Sequence, residues 1–216
     1  MAGRRPLNRI EEKKLLVHVR SLDPRDHALV VTQWFTGFRV SEVLSLTVGS
    51  VFRAGELVGK IGVAPRKMKG GYGRTRWVPV LPELRRALER QLSWLKKRFE
   101  LTPDLPLFVS RESDRDGQCR PVHRESARRI IHSAFAAAGI VNDGRLGTHT
   151  LRKTWARRVY ENCGHDLMIL KAALNHSSVS VTQAYLEPSE DEVLAAMIKC
   201  DLTRNSRVRR PSTAAA

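Results

Sequence analysis

The chain has 216 residues, enough for one sizeable domain, and its 38 lysines and arginines against 22 acidic residues give a formal charge of +16 at pH 7. Such an excess of positive charge favours a polyanionic partner, most often nucleic acid, although a basic surface alone or a ribosome-associated protein fits it too. Cys119, Cys163 and Cys200 lack the close spacing of a zinc site, and no long apolar run follows the basic N-terminus. We therefore expect a cytoplasmic protein with reduced thiols, no signal peptide and no membrane span.

Apolar periodicity predicts a mostly helical chain with one patch of strands. Asp23 and Pro24 form a typical helix start, Gly37 is well placed to end that helix, and Ser41 is expected to cap the next one. The predicted helices cover 8–20, 24–35, 41–46, 84–99, 123–138, 148–162, 167–174, 179–185 and 189–200. Strands are predicted at 48–52, 57–63 and 75–80, around glycine-rich turns.

The fold class predicted from this order is α+β, mostly α-helical with a small antiparallel three-stranded β-sheet. Residues 1–202 are expected to form a single domain. Residues 203–216 are rich in arginine and end in Pro-Ser-Thr-Ala-Ala-Ala, which predicts a disordered basic tail.

Arg39 stands between the end of one predicted helix and the start of the next. A guanidinium held at such a junction presents a fork that suits two oxygens of one phosphate. The alternative is a surface salt bridge with Glu42. Glu42 itself is expected to orient a basic side chain rather than to act in catalysis.

His149 and Arg152 are three residues apart at a predicted helix start, so they share one face of its first turn. Free backbone N–H groups and the helix dipole favour an anion there. An imidazole beside a fixed cation suits phosphoryl transfer. Leu151, Trp155 and Val159 are expected to form the buried stripe of this helix, and a structural histidine is the alternative for His149.

Tyr185 follows His176 by nine residues and is the candidate nucleophile. A phenol attacks poorly at neutral pH because its ordinary pKa is about 10, so positive charge must stabilise the developing oxyanions. His176 is expected to donate a hydrogen bond to a phosphate oxygen. By itself, Tyr185 fits an ordinary amphipathic anchor as well.

Lys67 and Lys69 precede the sequence Gly-Gly-Tyr-Gly in a predicted β-hairpin, whose flexible tip can carry a general acid to a leaving oxygen. The alternative is that this loop only contacts the DNA backbone. The cations expected to contact DNA phosphates are Lys67, Arg74, Arg76, Arg128, Lys153 and Arg157. Each of them also fits a solvated surface.

Three segments, 37–46, 148–156 and 174–185, resemble in order the first arginine box, the His-x-x-Arg box and the tyrosine box of the tyrosine recombinase (phage integrase) family. The resemblance covers most of the chain. It implies the catalytic-domain fold of that family, a DNA breaking-rejoining fold, and a site-specific DNA recombinase as the activity.

The resemblance also implies the roles of the residues. Arg39, Arg152 and His176 bind the scissile phosphate, His149 assists proton transfer, and Tyr185 becomes linked to the 3′ phosphate. Lys69 protonates the departing 5′ oxygen, chosen over Lys67 by strand parity because the hairpin looks about two residues longer than usual. Neither a metal nor another cofactor is expected, since the phosphotyrosine keeps the bond energy.

Two further features depart from the family pattern. Asn175 stands where the family usually has glycine, and no N-terminal core-binding domain precedes the first predicted helix. We expect either a short single-domain member or a fragment. The expected partners are double-stranded DNA and other protomers, from a dimer to a tetramer on DNA, with the helix 189–200 docking in trans; packing on its own domain is the alternative for that helix.

Two other functions remain open at this stage. A type IB topoisomerase shares this chemistry but rejoins the original strand, and the form of the Arg39 and His149 boxes favours the recombinase. A catalytically silent DNA-binding regulator of the same fold is the other alternative. The complete set of candidate residues argues against it.

Overall fold

A computed structural model describes residues 4–64, 75–111, 119–186 and 190–200. The predicted general acids Lys67 and Lys69, the predicted DNA contact Arg74 and the predicted tail 203–216 lie outside the described residues. In the part of the chain that is described, no helix is both long enough and apolar enough to cross a bilayer.

The described chain is mostly helical, with short antiparallel strands between the fourth and fifth helices. The helices are α1 Arg9–Val19, α2 Pro24–Thr36, α3 Val40–Leu44, α4 Val48–Val51, α5 Pro82–Lys96, α6 Arg124–Ala137, α7 Thr148–Asn162, α8 Leu167–Leu174, α9 Val179–Gln183 and α10 Glu190–Lys199. The strands are β1 Phe52–Arg53, β2 Glu56–Leu57, β3 Lys60–Val63 and β4 Arg76–Pro79. The predicted α+β class and the positions of the long helices are confirmed.

The strand region differs in detail from its prediction. Segment 48–52 is largely the helical turn α4, because the Ser50 hydroxyl accepts the Thr47 N–H at 3.1 Å and caps it. The segment 57–63 divides at Val58, whose N–H pairs with the Val51 carbonyl, while the Gly59 carbonyl pairs with the N–H of Val80. The strands therefore form two antiparallel pairs, β1 with β2 and β3 with β4, instead of one three-stranded sheet.

The N-cap of helix α3 lies two residues earlier than predicted. Arg39 is the N-cap residue, and its N–H donates to Glu42 Oε2 at 2.7 Å. Ser41, the predicted cap, lies inside the helix. The carboxylate three residues into the helix is a stronger acceptor for the N-terminal N–H groups than the serine hydroxyl, which moves the boundary.

Helix α2 forms the centre of the molecule, packing against α5, α6 and α7. A stripe of leucines on α5, from Leu84 to Leu95, is buried against it. A second, smaller apolar cluster lies beneath α7 and α8, where Ala156, Leu170 and Leu174 pack with Tyr185. The smaller cluster packs α8 against α7, which packs in turn against α2.

Gly37 ends α2 with a left-handed φ of 60°, as predicted, and it also lies against the ring of Trp155. A Cβ added at Gly37 would approach Trp155 Cδ2 to 2.6 Å. The position therefore needs glycine for its backbone conformation and for the close approach of α7.

We predict that Gly37→Ala lowers the free energy of unfolding by roughly 2–4 kcal/mol, from left-handed strain together with overpacking against Trp155. Gly139→Ala is the matched control, since Gly139 has a φ of 66° but nothing within 4 Å of an added Cβ. That control should lose only about 1 kcal/mol. Urea denaturation of both variants measures the difference, and equal losses would contradict a tight contact at Gly37.

Candidate active site

Arg39 sits at the N-terminus of α3 and is held there by Glu42. Its Nη1 donates to Glu42 Oε1 at 2.8 Å, and the Arg39 side chain keeps 25% of its surface exposed. Glu42 is buried, so its carboxylate holds the Arg39 guanidinium from the protein interior, and the opposite edge of the guanidinium faces solvent. The expectation that Glu42 orients a basic side chain agrees with this geometry.

Arg152 is a fully buried arginine on α7. It donates from Nη1 to the Gly37 carbonyl at 2.6 Å and from Nη2 to the Leu174 carbonyl at 3.2 Å. Burial lowers the pKa of this guanidinium below its ordinary value. Arg152 thus connects the end of α2 with the end of α8.

His176 is buried beside Arg152, and its protonation state follows from its neighbours. Arg152 Nη2 lies 3.1 Å from Nε2 and can only donate, so Nε2 accepts and Nδ1 carries the proton toward Thr182 Oγ1 at 3.1 Å. Burial and then the charges of Arg152 and Arg39 lower the pKa of His176 to about 4. The imidazole is therefore neutral at pH 7.

The turn before His176 keeps its shape despite the asparagine. Asn175 adopts the left-handed conformation, with a φ of 54° and a ψ of 47°, and ends α8. Asparagine is the residue other than glycine that enters this region most readily. The His176 N–H then donates to the Lys171 carbonyl at 3.1 Å. This hydrogen bond fixes the backbone that carries the imidazole.

Tyr185 lies directly over these groups. Its ring centroid is 5.0 Å from that of His176 and 5.5 Å from the Arg152 guanidinium carbon. Lys153 Nζ lies 5.9 Å from the same ring and donates to the Ala184 carbonyl at 3.1 Å. The phenol of one chain is thus placed at the guanidinium and imidazole of that same chain.

His149 occupies the first turn of α7 on the exposed side of the site. Partial desolvation, followed by the charges of Arg152 and Arg39, lowers the pKa of His149, so its imidazole is neutral at pH 7. Gln33 holds this turn in place, since its Nε2 donates to the Thr148 carbonyl at 2.8 Å. The geometry gives His149 access to solvent and to a bound ligand.

The residues predicted to contact DNA differ in how exposed their side chains are. Arg76 is buried, with 4% of its side chain exposed, so it is not positioned to touch DNA. Arg128 is exposed and pairs with Glu125. Lys153 and Arg157 are half-buried on α7.

Sequence reasoning missed three polar positions that support the site: Gln33, Arg76 as a buried residue, and Thr182. The Thr182 hydroxyl accepts a hydrogen bond from the Nδ1–H of His176 and donates to the Ser178 carbonyl at 3.4 Å. Its spacing of four residues after Ser178 was a usable signal for that helix turn. Nothing comparable in the sequence marked Gln33.

The arrangement combines fixed positive charge, a neutral imidazole and a phenol. Glu42 Oε2 lies 3.8 Å from Arg76 and 3.9 Å from Arg152, while its other oxygen pairs with Arg39. One carboxylate therefore faces three guanidinium groups. A site with this surplus of positive charge favours a monoanionic or dianionic ligand, such as a phosphodiester, over a neutral one.

A helical domain thus carries two arginines, two histidines and a tyrosine in the chain order that the resemblance to the phage integrase family predicts. The family model described as "Phage integrase family" matches residues 6–192, and the chain belongs to that family. The predicted resemblance is confirmed.

Similar proteins include the tyrosine recombinase XerC of Pelobacter propionicus, 31% identical over 79% of this chain and 50% of the relative. The probable integrase/recombinase YoeC of Bacillus subtilis is 29% identical over 89% of this chain and 92% of its own length. The crystal structure of XerA recombinase superposes with a TM-score of 0.68 at 26% identity, over 96% of this chain and 66% of that one. The chain spans about half the length of the XerC relative.

We predict that lowering the pH from 7 to 5 destabilises the wild type by about 2 kcal/mol more than it destabilises His176→Gln. The pKa of His176 is about 4 in the folded protein and about 6.5 when unfolded, so the unfolded state takes up the proton first. The stability that His176 contributes is present above the unfolded pKa and is lost as the pH falls toward 4.

Urea denaturation of both proteins at pH 7, 6 and 5 measures this difference. Contributions from His149 and the carboxylates are common to the two proteins and cancel. Identical pH dependence in wild type and variant would show that His176 is not a buried neutral imidazole.

Proposed function

We propose that this protein is a site-specific DNA recombinase that cuts and rejoins DNA strands through a 3′-phosphotyrosyl intermediate. The observation that carries the proposal is the position of Tyr185 over the Arg152 guanidinium and beside His176 in one chain. Membership of the phage integrase family supports it. The expected nucleic acid is double-stranded DNA, and the proposed location is the cytoplasm.

In the proposed reaction, the scissile phosphate enters between Tyr185 and the arginines, where Arg39 and Arg152 neutralise its non-bridging oxygens. The Tyr185 oxygen forms a bond to phosphorus as the bond to the 5′ oxygen breaks. His149, neutral at pH 7, accepts the phenol proton, and Lys69 is the proposed donor to the 5′ oxygen. Attack by a 5′ hydroxyl on the phosphotyrosine reverses these steps and releases Tyr185.

His176 changes its role when the phosphate arrives. Without DNA its Nε2 accepts a hydrogen bond from Arg152. A phosphate draws the Arg152 guanidinium to its own oxygens and raises the pKa of His176 by placing negative charge beside it. The protonated Nε2 can then donate to a phosphate oxygen, with Nδ1 still held by Thr182.

We further propose that protomers assemble on DNA as dimers to tetramers through α10. Four apolar side chains of this helix are exposed, from 38% for Val193 to 65% for Met197, with Leu194 and Ile198 between them. An amphipathic helix with such a face needs a second surface to bury it. The structure of a lambda integrase fragment is described as a dimer bound to a core site, and its TM-score with this chain is 0.60 at 18% identity.

The proposal predicts that Tyr185→Phe abolishes covalent attachment to DNA while DNA binding is nearly unchanged, because only the attacking oxygen is removed. Wild type and variant are mixed with a supercoiled plasmid carrying the DNA that flanks the gene, without added metal, and quenched with detergent. Adducts are counted on a denaturing gel, and their attachment points are sequenced.

An adduct from wild type alone supports the tyrosine nucleophile. Recombinant plasmid products identify a recombinase, whereas relaxed plasmids of unchanged sequence identify a topoisomerase activity. Binding without an adduct from either protein would favour the silent regulator. Loss of DNA binding in Tyr185→Phe would mean that Tyr185 is a structural residue.

The geometry also predicts that Tyr185 attacks the phosphate bound by its own chain, since it packs over its own Arg152 and His176. Mixing Tyr185→Phe with Arg152→Gln should therefore not restore adduct formation. In a trans arrangement the mixture would regain part of the wild-type yield, because one variant would supply the tyrosine and the other the phosphate site. Each variant alone is the control.

A further inference from the structure

We propose that Arg76 is a positioning residue that sets the geometry of the phosphate site without touching DNA. The proposal rests on the proposed function for its effect on rate, but its structural part can be tested separately. Arg76 is on β4, and its side chain reaches the C-terminal ends of α2 and α8, where it donates hydrogen bonds to backbone carbonyls.

Three backbone carbonyls from two separate segments accept hydrogen bonds from this one guanidinium. Nε donates to Ala173 at 2.7 Å, Nη2 to Thr36 at 2.6 Å and Nη1 to Gly37 at 3.3 Å. Thr36 and Gly37 lead into Arg39, and Ala173 leads into His176. Arg76 thus ties the backbone that carries Arg39 to the backbone that carries His176.

Two aromatic rings restrain the same guanidinium. Its central carbon lies 4.9 Å from the Phe38 ring and 5.0 Å from the Trp155 ring. Phe38 directly precedes Arg39, and Trp155 follows Arg152 by one helical turn. The guanidinium therefore meets all three segments that bring residues to the phosphate.

Stability alone is a poor explanation for an arginine at this position. Burial and the charge of Arg152 lower the pKa of Arg76 to about 9, which measures how unfavourable its charge is there. Apolar side chains of similar volume are often as stabilising as buried ions. A planar fork, in contrast, orders several carbonyls at once, and neither glutamine nor lysine reproduces it.

The experiment compares Arg76→Gln, Arg76→Lys and the control Arg158→Gln in the full chain. Arg158 is partly buried, with 34% of its side chain exposed, and donates to an α2 carbonyl, that of Trp34 at 3.0 Å, but it has no hydrogen bond to Gly37 or Ala173. For each protein we would measure the adduct rate on the supercoiled plasmid with the gene's flanking DNA. Affinity for a fluorescent duplex of the mapped attachment site and amide hydrogen exchange of the free protein complete the comparison.

Both Arg76 variants should form the adduct about 100-fold more slowly, because small displacements of catalytic groups have effects of this size. Their DNA affinity should stay close to that of the wild type. Amide exchange should accelerate at Val43, Asn175 and His176, and the lysine variant should not recover. Arg158→Gln should keep the wild-type rate and the wild-type exchange at these amides.

Unchanged rate and exchange in Arg76→Gln would overturn the proposal. So would an equal loss in Arg158→Gln, or a parallel fall of affinity and rate, since these indicate general destabilisation or a DNA contact. If the wild type itself forms no adduct, the proposed function fails, and the amide exchange alone decides whether Arg76 orders the two segments.

Discussion

The site depends on the backbone carbonyls at the C-terminal end of α2. Helix C-termini carry unsatisfied carbonyls and partial negative charge, and here the carbonyls of Thr36 and Gly37 receive the buried guanidiniums of Arg76 and Arg152. The left-handed Gly37 exposes its carbonyl to both, and its missing Cβ admits Trp155. The end of one helix thus becomes the anchor for groups that arrive from β4 and α7.

This anchoring explains how positive charge is kept at the site in the absence of DNA. Helix carbonyls and Glu42 compensate the buried arginines in part, and that compensation leaves a surplus for an oxyanion. Burial, and after it the charge of Arg152, keeps His176 neutral, since an imidazolium there would meet the Arg152 guanidinium at hydrogen-bond distance. In the proposed reaction, phosphate binding and the protonation of His176 are therefore coupled through the Arg152 guanidinium.

Much of the fold and the site follows from local sequence signals. Asp23, Pro24 and Gly37 mark both ends of α2 because caps act on their own helix, and the three boxes locate Arg39, Arg152 and Tyr185. The burial of Arg76 is not predicted in this way, because a basic residue at the start of a strand beside a glycine-rich turn predicts an exposed side chain that can contact DNA. Only the tertiary fold brings Arg76 to carbonyls that lie 39 and 97 residues away. Segment 57–63 divides because Leu57 pairs locally with Phe52 of β1, whereas β3 pairs with the more distant β4.

Tyr185 belongs to the site and also covers the Arg152 guanidinium. Arg152 has no exposed surface, and the Tyr185 ring lies over its guanidinium, so the proposed binding of a phosphate to Arg152 requires that ring to move. The ring belongs to the smaller apolar cluster, outside the main core, together with Leu170, Leu174 and Ala156. Its displacement therefore leaves the α2–α5–α7 core intact. In the proposed reaction, the Tyr185 phenol turns toward the phosphorus while Arg152, hydrogen-bonded to the end of α2, stays in place.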